Sequence, residues 1–162
     1  MTLVVPFDGS ELSKAALVRA AQFDTVLDDG VLAVSAVPRH NAQYARDRGW
    51  IGPNDPFDAK EIESHLREAA HDIAPEATFE TITVDRWART GLMGKKLRRF
   101  ARDADASIVF LGSENAGRFV RSNSVGSAVA ADRSYDTMIV TNTRPSKIER
   151  HEAEVQTEDA LE

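Results

Sequence analysis

The chain contains no cysteine, and this absence excludes several kinds of chemistry. Without thiols there is no disulfide framework, no thiolate metal site and no cysteine nucleophile, so the fold must be stabilised by core packing. No apolar run approaches the ~18 residues that a membrane helix needs. The N-terminus, MTLVVPFDGS, also lacks the basic start and the apolar stretch of a signal peptide. We therefore expect a cytoplasmic protein with no membrane partner.

An excess of positive charge is lacking as well, because 26 acidic residues outnumber 20 Lys and Arg residues and give a net charge of −6. Binding to a phosphate backbone requires a basic face, so this balance argues against a general nucleic-acid binder. One basic cluster consists of Lys95, Lys96, Arg98 and Arg99. On a helix these residues spread over more than one face, and we interpret them as a solvated surface.

Short apolar segments alternate with segments of helical periodicity along the 162 residues. The predicted strands cover residues 2–7, 30–37, 78–84, 107–111 and 137–141. Four helices are predicted. The first follows Ser10 as its cap, and the second begins near Asp55 or Pro56 and ends before Pro75. The third covers residues 92–102, and the fourth starts at Ser127. Strict alternation predicts a three-layer α/β/α sandwich, with a five-stranded, mainly parallel sheet flanked by four helices.

Three segments have a more specific interpretation. Residues 38–56 are punctuated by Gly and Pro, which predicts an irregular connection. Residues 78–84 alternate apolar and polar side chains, which indicates a strand near a sheet edge. Residues 1–142 are expected to form one domain, whereas residues 143–162 are acidic with few apolar partners and are expected to form a flexible tail or a frayed helix.

A glycine-rich stretch follows the fourth strand, LGSENAGRFVRSNSVGSAVA. Ligands of open parallel sheets bind outside the carboxyl ends of the strands, where this stretch would meet Asp8. Gly112 and Gly117 would let backbone N–H groups form an anion-sized concavity, and Gly126 and Ser127 would open the next helix. The alternative is structural, because glycine after a strand often makes only a tight turn and Ser127 could simply cap a helix.

The remaining candidate residues indicate no chemistry of their own. His65 and His71 are six residues apart, which is the wrong spacing for a metal shared on one helix face. Trp50 and Trp87 lie in or beside loops, and we favour packing in the core or at its rim for both. The alternative for Trp87 is that it borders the pocket or the dimer together with Arg86 and Arg89. No residue set suits fast phosphoryl transfer, so we nominate neither catalytic residues nor metal ligands.

The order of the elements, together with four segments, resembles the universal stress protein family. The segments are VVPFDGS, VLAVSAVP, ASIVFLGS and GSAVAADRSYDTMIV. The resemblance implies a five-stranded parallel sheet with four helices and a homodimer formed through the last strand, from Thr137 to Thr141. One branch of the family binds ATP and another does not, so the branch has to be judged from the glycine loop.

In that loop Gly112 matches the first glycine of the ATP-binding branch, and Gly126 with Ser127 matches its closing pair. The middle glycine is replaced by Asn115, the next glycine is Gly117, and the loop is one residue longer than the family pattern. The resemblance implies ATP, with or without Mg²⁺, in a regulatory or protective role with at most slow hydrolysis. The alternative is a dimeric regulatory module with an empty loop. The residues implied to hold the nucleotide are Pro6, Asp8, Val37, Gly112, Asn115, Gly117, Gly126, Ser127 and Ala128.

Overall fold

The computed structural model describes residues 1–112 and 125–143. The strands in these ranges are β1 (Thr2–Pro6), β2 (Val31–Pro38), β3 (Thr78–Val84), β4 (Ala106–Gly112) and β5 (Asp136–Val140). The helices are α1 (Glu11–Leu27), α2 (Ala42–Asp47), α3 (Ala59–Ile73), α4 (Thr90–Asp103) and α5 (Val125–Ala130). All strand pairs are parallel, and the sheet order is β3-β2-β1-β4-β5.

Helices cover both faces of the sheet, which confirms the predicted three-layer α/β/α architecture. Leu3 and Val5 of β1 belong to a core on the side of α1 and α3, whereas Val4 belongs to a second core on the side of α4 and α5. Because alternate side chains of a strand point to opposite faces, both sets must be apolar. This two-sided burial is the reason that β1 is a continuous apolar run.

Side-chain caps fix where the two helices of the first core begin. The Ser10 hydroxyl accepts a hydrogen bond from the Ser13 N–H at 3.2 Å, as predicted for the cap of α1. The start of α3 near Asp55 or Pro56 was wrong, because Asp58 is the cap and its carboxylate accepts from the N–H groups of Lys60 and Glu61.

The structure adds one helix to the four that were predicted. Helix α2 lies within residues 38–56, which were expected to be irregular throughout. The Asn41 side chain caps it by accepting from the Tyr44 N–H at 3.0 Å, and Ala45 is buried. Six residues are too few to show helical periodicity, so the cap was the available sequence signal.

Strand β3 has the predicted bounds and lies at one edge of the sheet. Phe79 and Val84 are buried while Glu80 is exposed, in accordance with an edge position. Within the residues that the structure describes, none of the helices is long and apolar enough to cross a membrane.

Candidate functional site

The carboxyl ends of β1 and β4 form the topological switch point of the sheet. From β1 the chain moves outward to β2 and β3 on one side, and it then crosses to β4 and β5 on the other side. Val4 pairs with Val109, so the last residues of these strands, Pro6 and Gly112, lie at the same edge. In open parallel sheets this is the position where ligands bind.

Asp8 is held firmly in the turn that connects β1 to α1. Its Oδ1 accepts from the Ser10 N–H at 2.9 Å, and its carbonyl oxygen accepts from Trp50 Nε1 at 2.7 Å. Gly9 has a φ of +79°, a conformation that side chains other than glycine disfavour. An ionised carboxylate can accept several hydrogen bonds, so Asp8 retains capacity for a ligand group at this edge.

Gly112 packs against the backbone at the start of α1. A Cβ built on it would lie 2.5 Å from both the carbonyl carbon and the carbonyl oxygen of Leu12, and 2.7 Å from the Ser13 nitrogen. No side chain fits in that space, since these are backbone atoms that cannot move independently of the helix. Contact between β4 and α1 therefore requires glycine at this position whether or not a ligand binds.

Pro6 is the last residue of the central strand β1, and Val37 is the last residue but one of the neighbouring strand β2. Pro6 is half-buried and pairs with Val34 of β2. Val37 is only 8% exposed and shares a core cluster with Ala45 and Trp50. Its side chain is thus part of the core on the α1 and α3 side.

Helix α5 carries the last three residues of the predicted site. It begins at Val125, two residues before the predicted start, and Gly126 and Ser127 lie half-buried in its first turn. A Cβ added to Gly94 of α4 would lie 2.8 Å from the Ala128 Cβ, so Ala128 packs where α5 crosses α4. The other two predicted residues, Asn115 and Gly117, lie outside the described residues.

An aromatic cluster beside Asp8 was missed by sequence reasoning. The rings of Tyr44 and Trp50 are 5.6 Å apart in an edge-to-face arrangement, and the Arg48 guanidinium lies 3.4 Å from the centre of the Tyr44 ring. The Tyr44 hydroxyl donates to the Met93 sulfur at 3.7 Å. Burial raises the pKa of the Tyr44 hydroxyl, and the charge of Asp8 adds to this rise while Arg48 opposes it.

A buried carboxylate, Asp132, joins α4 to the connection between α5 and β5. Its side chain is 1% exposed and accepts from Arg98 Nε at 2.6 Å and Arg102 Nε at 2.5 Å. It also accepts from the Ser134 N–H at 2.8 Å and from the Ser134 hydroxyl at 2.6 Å. Burial alone would raise the pKa of Asp132, but these hydrogen bonds outweigh it and hold that pKa well below its usual range. Arg98 is therefore part of a structural ion pair, so its assignment to a solvated surface was wrong.

A separate concave region, called here the basic cleft, lies between the carboxyl end of β3 and the start of α4. Its volume is about 1240 Å³. Trp87 lines it and is 77% exposed, so the favoured packing in the core or at its rim was wrong for Trp87, and its place beside Arg86 and Arg89 fits the alternative of a pocket border. Trp50 is buried at 5% exposure, as expected. Among the described residues no three His, Asp or Glu side chains are grouped as metal ligands. The cleft is lined by Asn41, Asp85, Arg86, Trp87, Ala88, Arg89, Gly91, Leu92 and Lys95.

Comparison with known proteins places the chain in a family. The model of the universal stress protein family matches residues 1–141. A universal stress protein solved in complex with cAMP is 22% identical, with a TM-score of 0.56 over 89% of this chain and 98% of that one. The universal stress protein from Archaeoglobus fulgidus in complex with dAMP is 17% identical, with a TM-score of 0.51 over 86% of this chain and 94% of that one.

A third solved structure, a family member from Burkholderia pseudomallei, is 15% identical and has a TM-score of 0.51 over 87% of this chain and 96% of that one. No curated protein sequence matches the chain. At these identities the solved structures show that the fold is shared, and the family model covers nearly the whole described part of the chain. The chain therefore belongs to the universal stress protein family.

Proposed function

We propose that the protein binds an adenine nucleotide at the carboxyl ends of β1 and β4. The observation that carries this proposal is the reversal of strand order between these two strands, with Asp8 directly after one and Gly112 at the end of the other. Gly126 and Ser127 lie in the first turn of α5, the helix between the parallel strands β4 and β5. Small polar groups around a switch point are a typical nucleotide environment.

The ligands named for two similar structures support the choice of adenine. One structure contains cAMP and another contains dAMP. These molecules share the adenine base and a phosphorylated sugar, but they differ in the state of the sugar hydroxyls and the phosphate. We therefore propose adenine recognition as the common property and ATP as the specific ligand of this chain.

Asp8 is the residue that we propose for the ribose or for a magnesium ion. Its carboxylate can accept from a ribose hydroxyl while Oδ1 continues to accept from the Ser10 N–H at 2.9 Å. Mg²⁺ is typically held by one or two carboxylates together with substrate phosphates, an arrangement that a single carboxylate at this edge fits. The Ser127 hydroxyl and the backbone at Gly126 are proposed to contact phosphate.

We propose a regulatory or protective role in the cytoplasm rather than rapid catalysis. Fast phosphoryl transfer needs a positioned base and a committed charge clamp. Among the residues that we place at the nucleotide, Asp8 is the one carboxylate and none is Lys or Arg. We propose that the nucleotide acts by being bound or absent at the switch point, and that the protein hydrolyses it slowly at most.

The second candidate is a regulatory module of the same fold that binds no nucleotide. The packing of Gly112 against Leu12 favours it, because that contact explains the glycine without a ligand.

With or without a nucleotide, the protein is proposed to form a homodimer through the free edge of β5, from Thr137 to Thr141, where Ile139 is 37% exposed. A dimer mass in light scattering supports this assembly, and a monomer mass over the same concentrations rejects it.

The proposal is tested by calorimetric titration of Mg²⁺–ATP into the full chain and its Asp8→Asn variant. The Asn carbonyl can still accept from the Ser10 N–H, so the turn is retained while the charge is lost. We expect affinity to fall about tenfold, since a charge-assisted hydrogen bond is replaced by a neutral one.

Asp85→Asn is the matched control, because Asp85 also follows a strand at the same edge but lies at β3, far from the switch point. Equal affinity in the wild type and the two variants would remove Asp8 from the site. Absence of ATP binding to the wild-type chain would favour the second candidate.

A further inference from the structure

The basic cleft concentrates unpaired positive charge in a protein whose net charge is −6. Arg86, Arg89 and Lys95 line it, with Asp85 as the opposing charge. Within residues 1–112 and 125–143, no carboxylate forms an ion pair with any of these three cations. A concave surface with this charge attracts an anionic partner.

The other cations of α4 differ in this respect. Arg98 and Arg102 form ion pairs with Asp132. Arg99 Nε lies 3.7 Å from Asp103 Oδ2. Lys96 Nζ donates to the Thr83 carbonyl oxygen at 3.4 Å. Among the described residues, Lys95 is thus the one cation of α4 with neither an ion pair nor a side-chain hydrogen bond, and it lines the cleft together with Arg86 and Arg89, which precede the helix.

Apolar surface accompanies the charge. Trp87 is 77% exposed with the Arg86 guanidinium 5.0 Å from its ring centre, and Leu92 is 39% exposed. A large exposed aromatic side chain next to cations is typical of a surface that binds a partner. The partner should therefore carry several carboxylates and a few apolar side chains.

A segment of the same chain has this chemistry. Residues 151–162, HEAEVQTEDALE, contain five carboxylates and no Lys or Arg. The apolar residues Val155 and Leu161 are interspersed among them. We propose that this acidic segment binds the basic cleft of its own chain, with carboxylates on Arg89 and Lys95 and an apolar side chain against Trp87.

The distance between the last described residues and the cleft permits this contact. All strands are parallel, so the ends of β5 and β3 lie at the same edge of the sheet, four strand spacings apart. At ~4.8 Å per spacing the separation is ~19 Å. Residues 144–150 can span up to ~23 Å when extended, so residues 151–162 reach the cleft without any change in the fold.

Tethering makes even a weak contact effective. A segment joined to its site by a short linker has an effective concentration in the millimolar range. An affinity of that order, reached by a few screened ion pairs and one aromatic contact, is sufficient for substantial occupancy. Because these ion pairs are exposed, occupancy should fall as ionic strength rises. The proposal does not rest on nucleotide binding, which concerns the switch point between β1 and β4, whereas the cleft lies at the end of β3.

Quenching of tryptophan fluorescence by acrylamide measures occupancy directly. The chain has two tryptophans, and Trp50 is only 5% exposed, so Trp87 dominates the quenching. Acrylamide is neutral and does not respond to the charge of the cleft. We expect the Stern–Volmer constant to rise about twofold when the segment is neutralised and Trp87 is uncovered, given partial occupancy by a tethered ligand. The neutralising substitutions in the full chain are Glu152→Gln, Glu154→Gln, Glu158→Gln and Asp159→Asn.

Two matched variants make the result specific. Arg89→Glu with Lys95→Glu should raise quenching as much as neutralisation does, while leaving Arg86 and Trp87 intact. A control removes four exposed carboxylates on α3, β3 and the turn between them and should leave quenching unchanged. The substitutions of this control are Glu68→Gln, Asp72→Asn, Glu76→Gln and Glu80→Gln.

A synthetic peptide of residues 151–162, added to the neutralised chain, should lower quenching again.

Equal quenching of the wild-type chain and the neutralised chain would overturn the proposal. A rise on neutralisation that the cleft substitutions fail to reproduce would also overturn it, since the segment would then bind elsewhere. A rise in the four-carboxylate control equal to that of the neutralised chain would contradict it too, because net charge alone would be responsible.

Discussion

At the residue scale, Gly112 shows how close backbone packing shapes the switch point. The end of β4 approaches the first turn of α1 so closely that the space for a Cβ is taken by the backbone of Leu12 and Ser13. A glycine that resembles part of a nucleotide loop is thus also a packing residue. A substitution at Gly112 is therefore expected to change the stability of the fold whether or not a ligand binds.

We predict that Gly112→Ala destabilises the protein by roughly 2–3 kcal/mol, because the added methyl group overpacks a rigid contact. Urea unfolding followed by circular dichroism measures the change. Gly91→Ala is the control, since nothing lies within 4 Å of a Cβ at that helical position, and it should stabilise the protein by about 0.5 kcal/mol. Similar stabilities of Gly112→Ala and the wild type would show that β4 and α1 are not in this close contact.

Sequence reasoning identified several of these residues but not always their roles. Asp8 was recognised because it follows an apolar run directly, and that position is fixed by local sequence. The packing of Gly112 on Leu12 joins residues 100 positions apart, and Arg98 on α4 is 34 positions from its partner Asp132. Such contacts depend on how the helices sit on the sheet, which neither periodicity nor local propensity determines.

At the scale of elements, Asp132 is the point that joins α4 to the chain between α5 and β5. Its carboxylate forms ion pairs with Arg98 and Arg102 and accepts hydrogen bonds from the N–H and the hydroxyl of Ser134. Tyr135 adds a hydrogen bond from its hydroxyl to the Val129 carbonyl at 2.6 Å. Burial together with the charge of Asp132 raises the pKa of Tyr135 to about 12. The turn before β5 is therefore held by polar contacts as well as by the core.

Asp132→Asn should lower the free energy of unfolding by about 2 kcal/mol near neutral pH, because an unpaired set of arginines remains beside a neutral amide. This value allows for the partial exposure of Arg98 and Arg102, which are 34% and 52% exposed. Chemical unfolding of the two proteins measures the difference. Asp103→Asn removes an exposed ion pair on the same helix and should change stability by less than ~0.5 kcal/mol.

The pH dependence of this difference has a defined sign. The folded-state pKa of Asp132 is lowered, so its contribution is present above the unfolded-state pKa of ~3.9 and is lost as pH falls toward the folded-state value. The stability gap between the wild type and Asp132→Asn should hold constant from neutral pH to about pH 5 and shrink at about pH 3. A gap that widens on acidification would mean that the carboxylate is not charged and paired in the folded state.

The main elements were predictable from sequence because their signals are local and strong. The apolar run of β1 and the Ser10 cap of α1 appear where the sequence indicated them. The missed helix α2 has six residues and begins at Ala42, after the Asn41 cap, in a segment rich in Gly and Pro. Trp50 and Tyr44 acquire their positions from this helix, so the aromatic cluster beside Asp8 could not be predicted once α2 was overlooked.

At the scale of the whole molecule, one parallel sheet places two different surfaces at one edge. The switch point between β1 and β4 carries Asp8 and Gly112, whereas the basic cleft beyond β3 carries cations and an exposed tryptophan. Alternation of strands and helices predicted this edge as the ligand side. Trp87 with Arg86 and Arg89 was the alternative border of a pocket, but the separation of this cleft from the switch point and the contribution of Lys95 were not predicted, because they depend on how the turn after β3 lies against α4.

The most direct test of the central claim is calorimetric titration of ATP into the wild type, Gly126→Asp and Gly91→Asp. Each substitution introduces a carboxylate at the second residue of a helix, in α5 at the switch point and in α4 away from it, where an acidic side chain is compatible with helix formation. We predict a Kd below about 1 mM for the wild type and Gly91→Asp, and binding at least about tenfold weaker for Gly126→Asp. The claim is contradicted if the wild-type chain releases no binding heat at millimolar ATP, or if the three proteins bind ATP equally well.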